Sequence, residues 1–526
     1  MRLLKFSIRA YSSVCLTYLK SKLNVIVSIV FRVLLIVSNL LVRRYLIRFI
    51  GNDVNGINSL YLSIIGVLAV AELGIGGAIT YCMYKPIVEG DTVKVSALYN
   101  LFQRIYGLIG LVICIAGCGV MPFLPYLAKG YSTVNVNLYL TFGLMLASVV
   151  ITYFFSAKIS LINAYKDNYI TTTINSCGQL LQQVLQIIVL FLTQSFVWYL
   201  SCRIVAALLQ WIATELITQK KYSAILQNPK ARIDGETKTE VVKNVKALFA
   251  HKIGGVLVNT IDSIIISAFI GVSMLGKYSN YTTIMTAMMG TIVLFFTPLT
   301  SILGHAFVEN KVAFKEHYDF FYVMNFMLGC VFFLGYYAVI DDLVALLFDR
   351  GLELDKSVSF VITVNYFIQF MRQATLLFRD ASGTFYYDRW KPLAEGFSNL
   401  ILSILFVMLF KKIAGESFAV VGVIVATIIT NLSICHIVEP AVLYKHAFNE
   451  PVKKYYLRNY SCMALFVLLL SVLHVCMVSM GNLWLELLIN GCIAVGIAFV
   501  PFVVTILMNK KFRSRVSNFF GSRIVK

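Results

Sequence analysis

Polar and charged side chains inside otherwise apolar stretches are the residues of this chain that can do chemistry. Arg32, Asn39 and Arg43 are spaced i, i+7 and i+11, which puts them on one face of a helix. A charge near the centre of a bilayer is costly and needs either a partner or a water-filled cavity. Guanidinium groups suit phosphate, because their planar fork donates two parallel hydrogen bonds. The spacing therefore predicts a cationic stripe that faces a cavity and holds an anionic headgroup. For Arg32 a structural pair with Glu72 satisfies the same requirement. Glu72, in the stretch AELGIGGAI, is a candidate for that ion pair or for a coupling site that takes up a proton or a cation. Arg44 and Arg48, close behind the stripe, read as side chains that snorkel to lipid phosphates.

A second polar face lies far along the chain, where Asn365, Gln369, Arg372 and Arg379 share one side of a helix and Gln373 lies beside them. Gln182, Gln183 and Gln186 form a comparable patch; such amides either contact sugar hydroxyls or bind neighbouring helices together. The substrate-binding candidates are thus Arg32, Asn39, Arg43, Gln369 and Arg372, with Asp262 and Arg203 as further intramembrane groups. Two short motifs read as structural. Gly271-x4-Gly276-Lys277 resembles a phosphate loop, but Tyr278 stands where Ser or Thr is needed, so it reads as a tight turn between spans. His436-x-x-Glu439 lacks a second ligand pair and reads as an interfacial cap before Pro440. No catalytic residue, metal ligand or cofactor site is assigned.

The elements that must position these residues follow from composition. Of 526 residues, 59% are hydrophobic and 13% charged, and the mean hydropathy is +0.81, so the solvent of this chain is lipid. The eleven cysteines form no C-x-x-C pair and read as small buried hydrophobes. About fourteen apolar segments have spanning length, roughly 20 residues each. The expected class is an all-α polytopic membrane protein. Its expected plan is a basic tail (1–23), a six-span N-lobe (24–218), a basic linker (219–246) and a six-span C-lobe (247–438), then two additional spans (439–508) and a basic tail (509–526).

The two lobes read as copies. FIGNDVNGINSLY at 49–61 returns as FIGVSMLGKYSNY at 269–281, and the same offset of 220 carries Val88-Glu89 onto Val308-Glu309. An even number of spans per copy makes the copies parallel, with a substrate path expected between them. With the N-terminus inside, inner segments hold roughly thirty Lys and Arg and outer ones about nine, which puts both termini in the cytoplasm. The acidic segment 341–356 then falls outside. The net charge of +20 serves topology, and nucleic acid is not an expected partner.

The polar first span, the G-x4-G turn and the ELGIGGAI segment, followed by Tyr84-Lys85-Pro86 and Glu89-Gly90-Asp91, resemble polysaccharide flippases. These belong to the multidrug/oligosaccharidyl-lipid/polysaccharide exporter (MOP) superfamily. The resemblance implies a non-enzymatic transporter of the bacterial inner membrane that moves an undecaprenyl-pyrophosphate-linked oligosaccharide to the outer leaflet by alternating access. It also implies membrane lipids as partners, along with a glycan polymerase and glycosyltransferases of the same pathway. Related lipid II flippases have a cationic cavity with first-span arginines, which Arg32 and Arg43 match by position along the span. Two other readings remain open at this point. A multidrug or cation antiporter of the same superfamily requires a carboxylate-lined cavity, and a membrane glycan polymerase or ligase requires a long outer loop.

Overall fold

The computed structural model describes residues 30–72, 75–228, 231, 233, 235, 260–296 and 299–508. The basic tails 1–23 and 509–526 and most of the linker cations, among them Lys238, Lys243 and Lys246, lie outside the described residues. The described residues of the fourteen apolar segments are predominantly helical, and no strand occurs among the described residues.

The helices are α1 (30–50), α2 (Asn52–Leu68), α3 (Ile75–Glu89), α4 (Thr92–Val120), α5 (Leu138–Ala164), α6 (Asn168–Thr193) and α7 (Phe196–Lys221). The second series comprises α8 (Thr260–Ile270), α9 (Val272–Phe296), α10 (Leu299–Glu309), α11 (Lys311–Leu347), α12 (Lys356–Ala381) and α13 (Lys391–Ala414). It closes with α14 (Glu416–Thr430), α15 (His436–Leu443), α16 (Lys453–Cys476) and α17 (Leu483–Met508). Among the described residues nine helices are long and apolar enough to cross a membrane. The polar residues of α1 and α12 keep those two helices outside that number. The chain is a multi-pass membrane protein.

The sequence repeat is also a repeat of helix boundaries. Helices α2 and α9 begin at Asn52 and Val272, and α3 and α10 end at Glu89 and Glu309, both pairs at the offset of 220. Each of α2 and α9 follows a glycine with positive φ, Gly51 at 110° and Gly271 at 147°, a conformation that side chains with a Cβ resist. The next helices are capped alike: Asp91 accepts from the Lys94 amide at 2.8 Å, and Asn310 from the Val312 and Ala313 amides at 2.9 and 3.0 Å.

The chain divides into two compact units. The first holds Met1–Asn55, Leu68–Pro125 and Val134–Phe249. In it α5 packs on α4 and α7, and α6 on α7. The second holds Gly56–Val67, Tyr126–Thr133 and Ala250–Lys526. In it α13 packs on α14, and α11 on α12 and α17.

Three sequence expectations change here. The second glycine of the G-x4-G motif is no turn residue: Gly56 lies within α2, and a Cβ there would fall 1.9 Å from the Val272 carbonyl oxygen and 3.0 Å from the Gly276 nitrogen. The repeat mates Gly56 and Gly276 thus mark a backbone-to-backbone helix crossing that only a residue without a side chain allows. The acidic segment 341–356 is shorter as a loop than expected, because α11 continues to Leu347. His436 and Glu439 are both 1% exposed, so neither is an interfacial cap.

At one edge of the second unit Glu416 accepts from Lys129 and Lys411, each at 2.8 Å, and both lysines also donate to the Phe269 carbonyl. Those two hydrogen bonds hold the Glu416 carboxyl down to about 2, from its ordinary 4.5. A depressed folded value means the contribution is present above pH 4.5 and fades as the pH falls towards 2. The thermal midpoint of a Glu416→Gln variant should therefore lie slightly below that of the native chain at pH 7, and the gap should close on acidification below about 4. A gap independent of pH would contradict the pairing.

Candidate functional site

The candidate residues fall on two scaffolds, one in each unit. In the first unit, Arg32 and Asn39 are exposed on α1, while Arg43, further along, is half-buried. Arg43 and Arg203 of α7 both lie within electrostatic reach of Tyr199. The next face of α1 is fixed to α6, where Ser38 Oγ lies 2.5 Å from Gln183 Oε1. Gln186 is 1% exposed and donates to the Tyr199 carbonyl at 3.3 Å. Of the two roles open to the glutamine patch, Gln183 and Gln186 thus serve helix association. Glu72 lies within electrostatic reach of Tyr153 and Tyr106, and no ion pair joins it to Arg32 among the described residues. A Cβ on Gly76 would meet the Tyr106 hydroxyl at 2.6 Å, so Gly76 does admit a close neighbour. Lys158 of α5 and Glu215 of α7 form a further ion pair in this unit, one the sequence reading did not single out.

In the second unit α12 presents the expected face. Gln369 donates to Asn365 Oδ1 at 3.3 Å, and Arg372 follows one turn later. Arg372 is a hub. Its Nε and Nη2 grip the Glu439 carboxylate at 3.1 and 2.6 Å, while Nη1 donates to Asn431 Oδ1 at 2.7 Å and to Glu395 Oε1 at 3.3 Å. Lys391 Nζ closes the ring, 2.7 Å from Glu439 and 2.8 Å from Glu395. Two cations and two carboxylates, none more than 14% exposed, make a charge-neutral quartet across α12, α13 and α15. Next to it His436 Nε2 lies 3.0 Å from the Ile368 carbonyl oxygen, and its Nδ1 is 3.2 Å from Asn459 Nδ2. At the end of α12, Arg379 pairs with Asp388 at 2.7 Å and Asp380 at 2.9 Å. The geometry gives Arg372 a bidentate carboxylate partner within its own unit, so its fork is engaged.

Asp262 on α8 is set apart from these pairs. It is buried and accepts from the Thr427 hydroxyl at 3.1 and 3.2 Å, and Asn399 donates to that same hydroxyl at 2.8 Å. No cation lies within ion-pair distance of Asp262 among the described residues, and the buried Asn399 Oδ1 and Ser403 Oγ have no hydrogen-bond partner there.

The sequence reading missed Lys391 and Glu395 and the partner of Glu439. The signal available for the first two was an i, i+4 Lys–Glu pair just inside an apolar span, next to Pro392. In sequence Glu439 stands beside His436, three residues away, whereas its partner Arg372 is 67 residues away.

Comparison with solved structures places this architecture among known transporters. The lipid II flippase MurJ in an inward closed conformation superposes with a TM-score of 0.63 at 14% identity, covering 92% of this chain and 98% of that one. An inward-facing multidrug-resistance MATE transporter of the MOP superfamily gives 0.59 at 15% identity, covering 78% and 96%. The Vibrio cholerae MATE transporter VcmN gives 0.53 at 12% identity, covering 79% and 94%. The chain has the fold of MOP-superfamily transporters. No protein-family model matches it, and no curated protein does.

Proposed function

We propose that this chain is a flippase that moves a lipid-linked, phosphate-bearing oligosaccharide across the membrane by alternating access, with undecaprenyl pyrophosphate as the anchor. The observation that carries the reading is the extent of the likeness. The lipid II flippase covers 92% of the chain and the MATE transporter 78%, a difference about the size of the additional spans 439–508. The flippase plan spans more of this chain than the shorter antiporter plan does, which favours the flippase reading. A large polar headgroup cannot cross hydrocarbon without a lined path, and a transporter of this fold supplies one.

In this reading Arg32, Asn39 and Arg43 take the pyrophosphate, and the Asn365–Gln369 face takes sugar hydroxyls. Arg372 orients that face through its carboxylate partners. Glu72, near Tyr153 and Tyr106, is the coupling candidate. The membrane is the bacterial inner membrane with both termini cytoplasmic, and the glycan polymerase and glycosyltransferases of the pathway are the functional partners.

The test is translocation of undecaprenyl-pyrophosphate-linked glycan in proteoliposomes. Arg32 is exposed, so Arg32→Ala should fold normally and slow translocation about tenfold or more, the effect of losing one charge-assisted contact. Unchanged translocation would remove Arg32 from the site. Export of cationic drugs without glycan movement would replace the flippase reading with the antiporter.

A further inference from the structure

Two cavities of the second unit meet at one arginine. The first, about 520 Å³, is lined by Lys315, Asp319, Tyr444, Glu450, Lys454 and Arg458, at the end of the bundle where α11 and α16 begin. The charge count of the sequence assigns that end to the inside. The second, about 280 Å³, is an apolar groove between α11, α16 and α17, lined by Phe326, Leu465, Leu469, Val500 and Val504. Arg458 lines both.

The geometry around Arg458 leaves part of its fork to spare. The guanidinium lies 4.3 Å over the Tyr322 ring, and Nη1 donates to Asp319 at 2.9 Å. Its Nε and Nη2 are buried and have no acceptor among the described residues. Asp319 is already shared with Lys315 at 2.6 Å, so it cannot balance both cations. With Lys454 added against Glu450, the cavity carries one net positive charge. Spare guanidinium N–H donors and an excess cation are the recognition chemistry of a phosphate. A soluble phosphate would use only the polar cavity. The groove, however, continues from the same arginine between side chains that face lipid, Val500 at 50% and Val504 at 46% exposure. An occupant that fills both parts has a phosphate at one end and a hydrocarbon chain at the other.

We infer that this pair of cavities is a binding site for an anionic phospholipid of the inner leaflet, with its phosphate at Arg458 and Lys454 and one acyl chain in the α11–α16–α17 groove. The site lies within the second unit, and its occupant is a resident lipid of the bilayer and not the transported molecule.

The test uses the full chain in nanodiscs and after extraction, with native mass spectrometry counting retained lipids. Phosphatidylglycerol should be retained about tenfold more strongly than phosphatidylcholine, and Arg458→Gln should abolish the difference. Because Arg458 also holds Asp319, two exposed positions separate binding from folding: Lys454→Gln should weaken retention several-fold, and Val504→Trp should block the chain groove. Equal retention of the two lipids, or retention unaffected by both exposed variants, would overturn the proposal. So would binding of inorganic phosphate that depends on Arg458 but competes with the lipid and ignores Val504→Trp, since that marks a site for a free anion.

Discussion

A Glu439→Gln variant is expected to lose about 3–5 kcal/mol of stability, because it leaves Arg372 and Lys391 buried against a single remaining carboxylate. Glu439 is 1% exposed and accepts from both cations, so no water replaces the lost charge. The cost lies in the uncompensated charge and not in the removed bond, which gives the prediction a second arm. Arg372→Gln combined with Glu439→Gln restores neutrality and should recover much of the loss. The measurement is the unfolding midpoint of the detergent-solubilised chain for both single variants and the double variant. Additive losses would mean that the quartet does not act as one unit. The same experiment bears on function: a double variant that folds but no longer moves glycan would place the Arg372 face in the substrate path.

Gly56→Ala should be strongly destabilising, costing about 1–3 kcal/mol or more. The new Cβ would sit 1.9 Å from a backbone carbonyl, and a backbone cannot turn away as a side-chain end can. Gly77→Ala is the matched control. It adds the same methyl to a helix where nothing lies within 4 Å, and there the better helix propensity of alanine should leave stability equal or improved. Thermal midpoints and surface expression of the two variants decide the matter. A tolerated Gly56→Ala would mean that α2 and α9 can separate without consequence.

The fold was legible because lipid imposes a simple code: a run of apolar residues long enough to span must be helical. The copied stretch at 49–61 and 269–281 supplied the two-lobed plan, and the helix starts at Asn52 and Val272 keep the same offset of 220. What could not be read were events that depend on partners. The spacing that put Gly56 in a motif says nothing about Val272 crossing over it. Gln183 and Gln186 offered two roles, and only the positions of Ser38 and the Tyr199 carbonyl decide between them. The quartet stayed hidden for the same reason. Its members come from three helices, and a cation inside a span looks unpaired until the helix bearing its carboxylate is placed beside it. The α12 face itself was legible from the helical period, since Asn365, Gln369 and Arg372 needed only one helix to align.

Between α14 and α15 the helix passes through a wide π turn at Asn431–Cys435. Arg372 bonds to Asn431 at the start of that turn and to Glu439 after it, eight positions later. In an unbroken α-helix eight residues advance about 800°, leaving those two side chains about 80° apart in azimuth. The extra residue absorbed by the π turn reduces the mismatch to roughly 20°. One surplus residue thus acts as a phase shifter: it turns Glu439 onto the azimuth of Asn431, so that a single guanidinium reaches both.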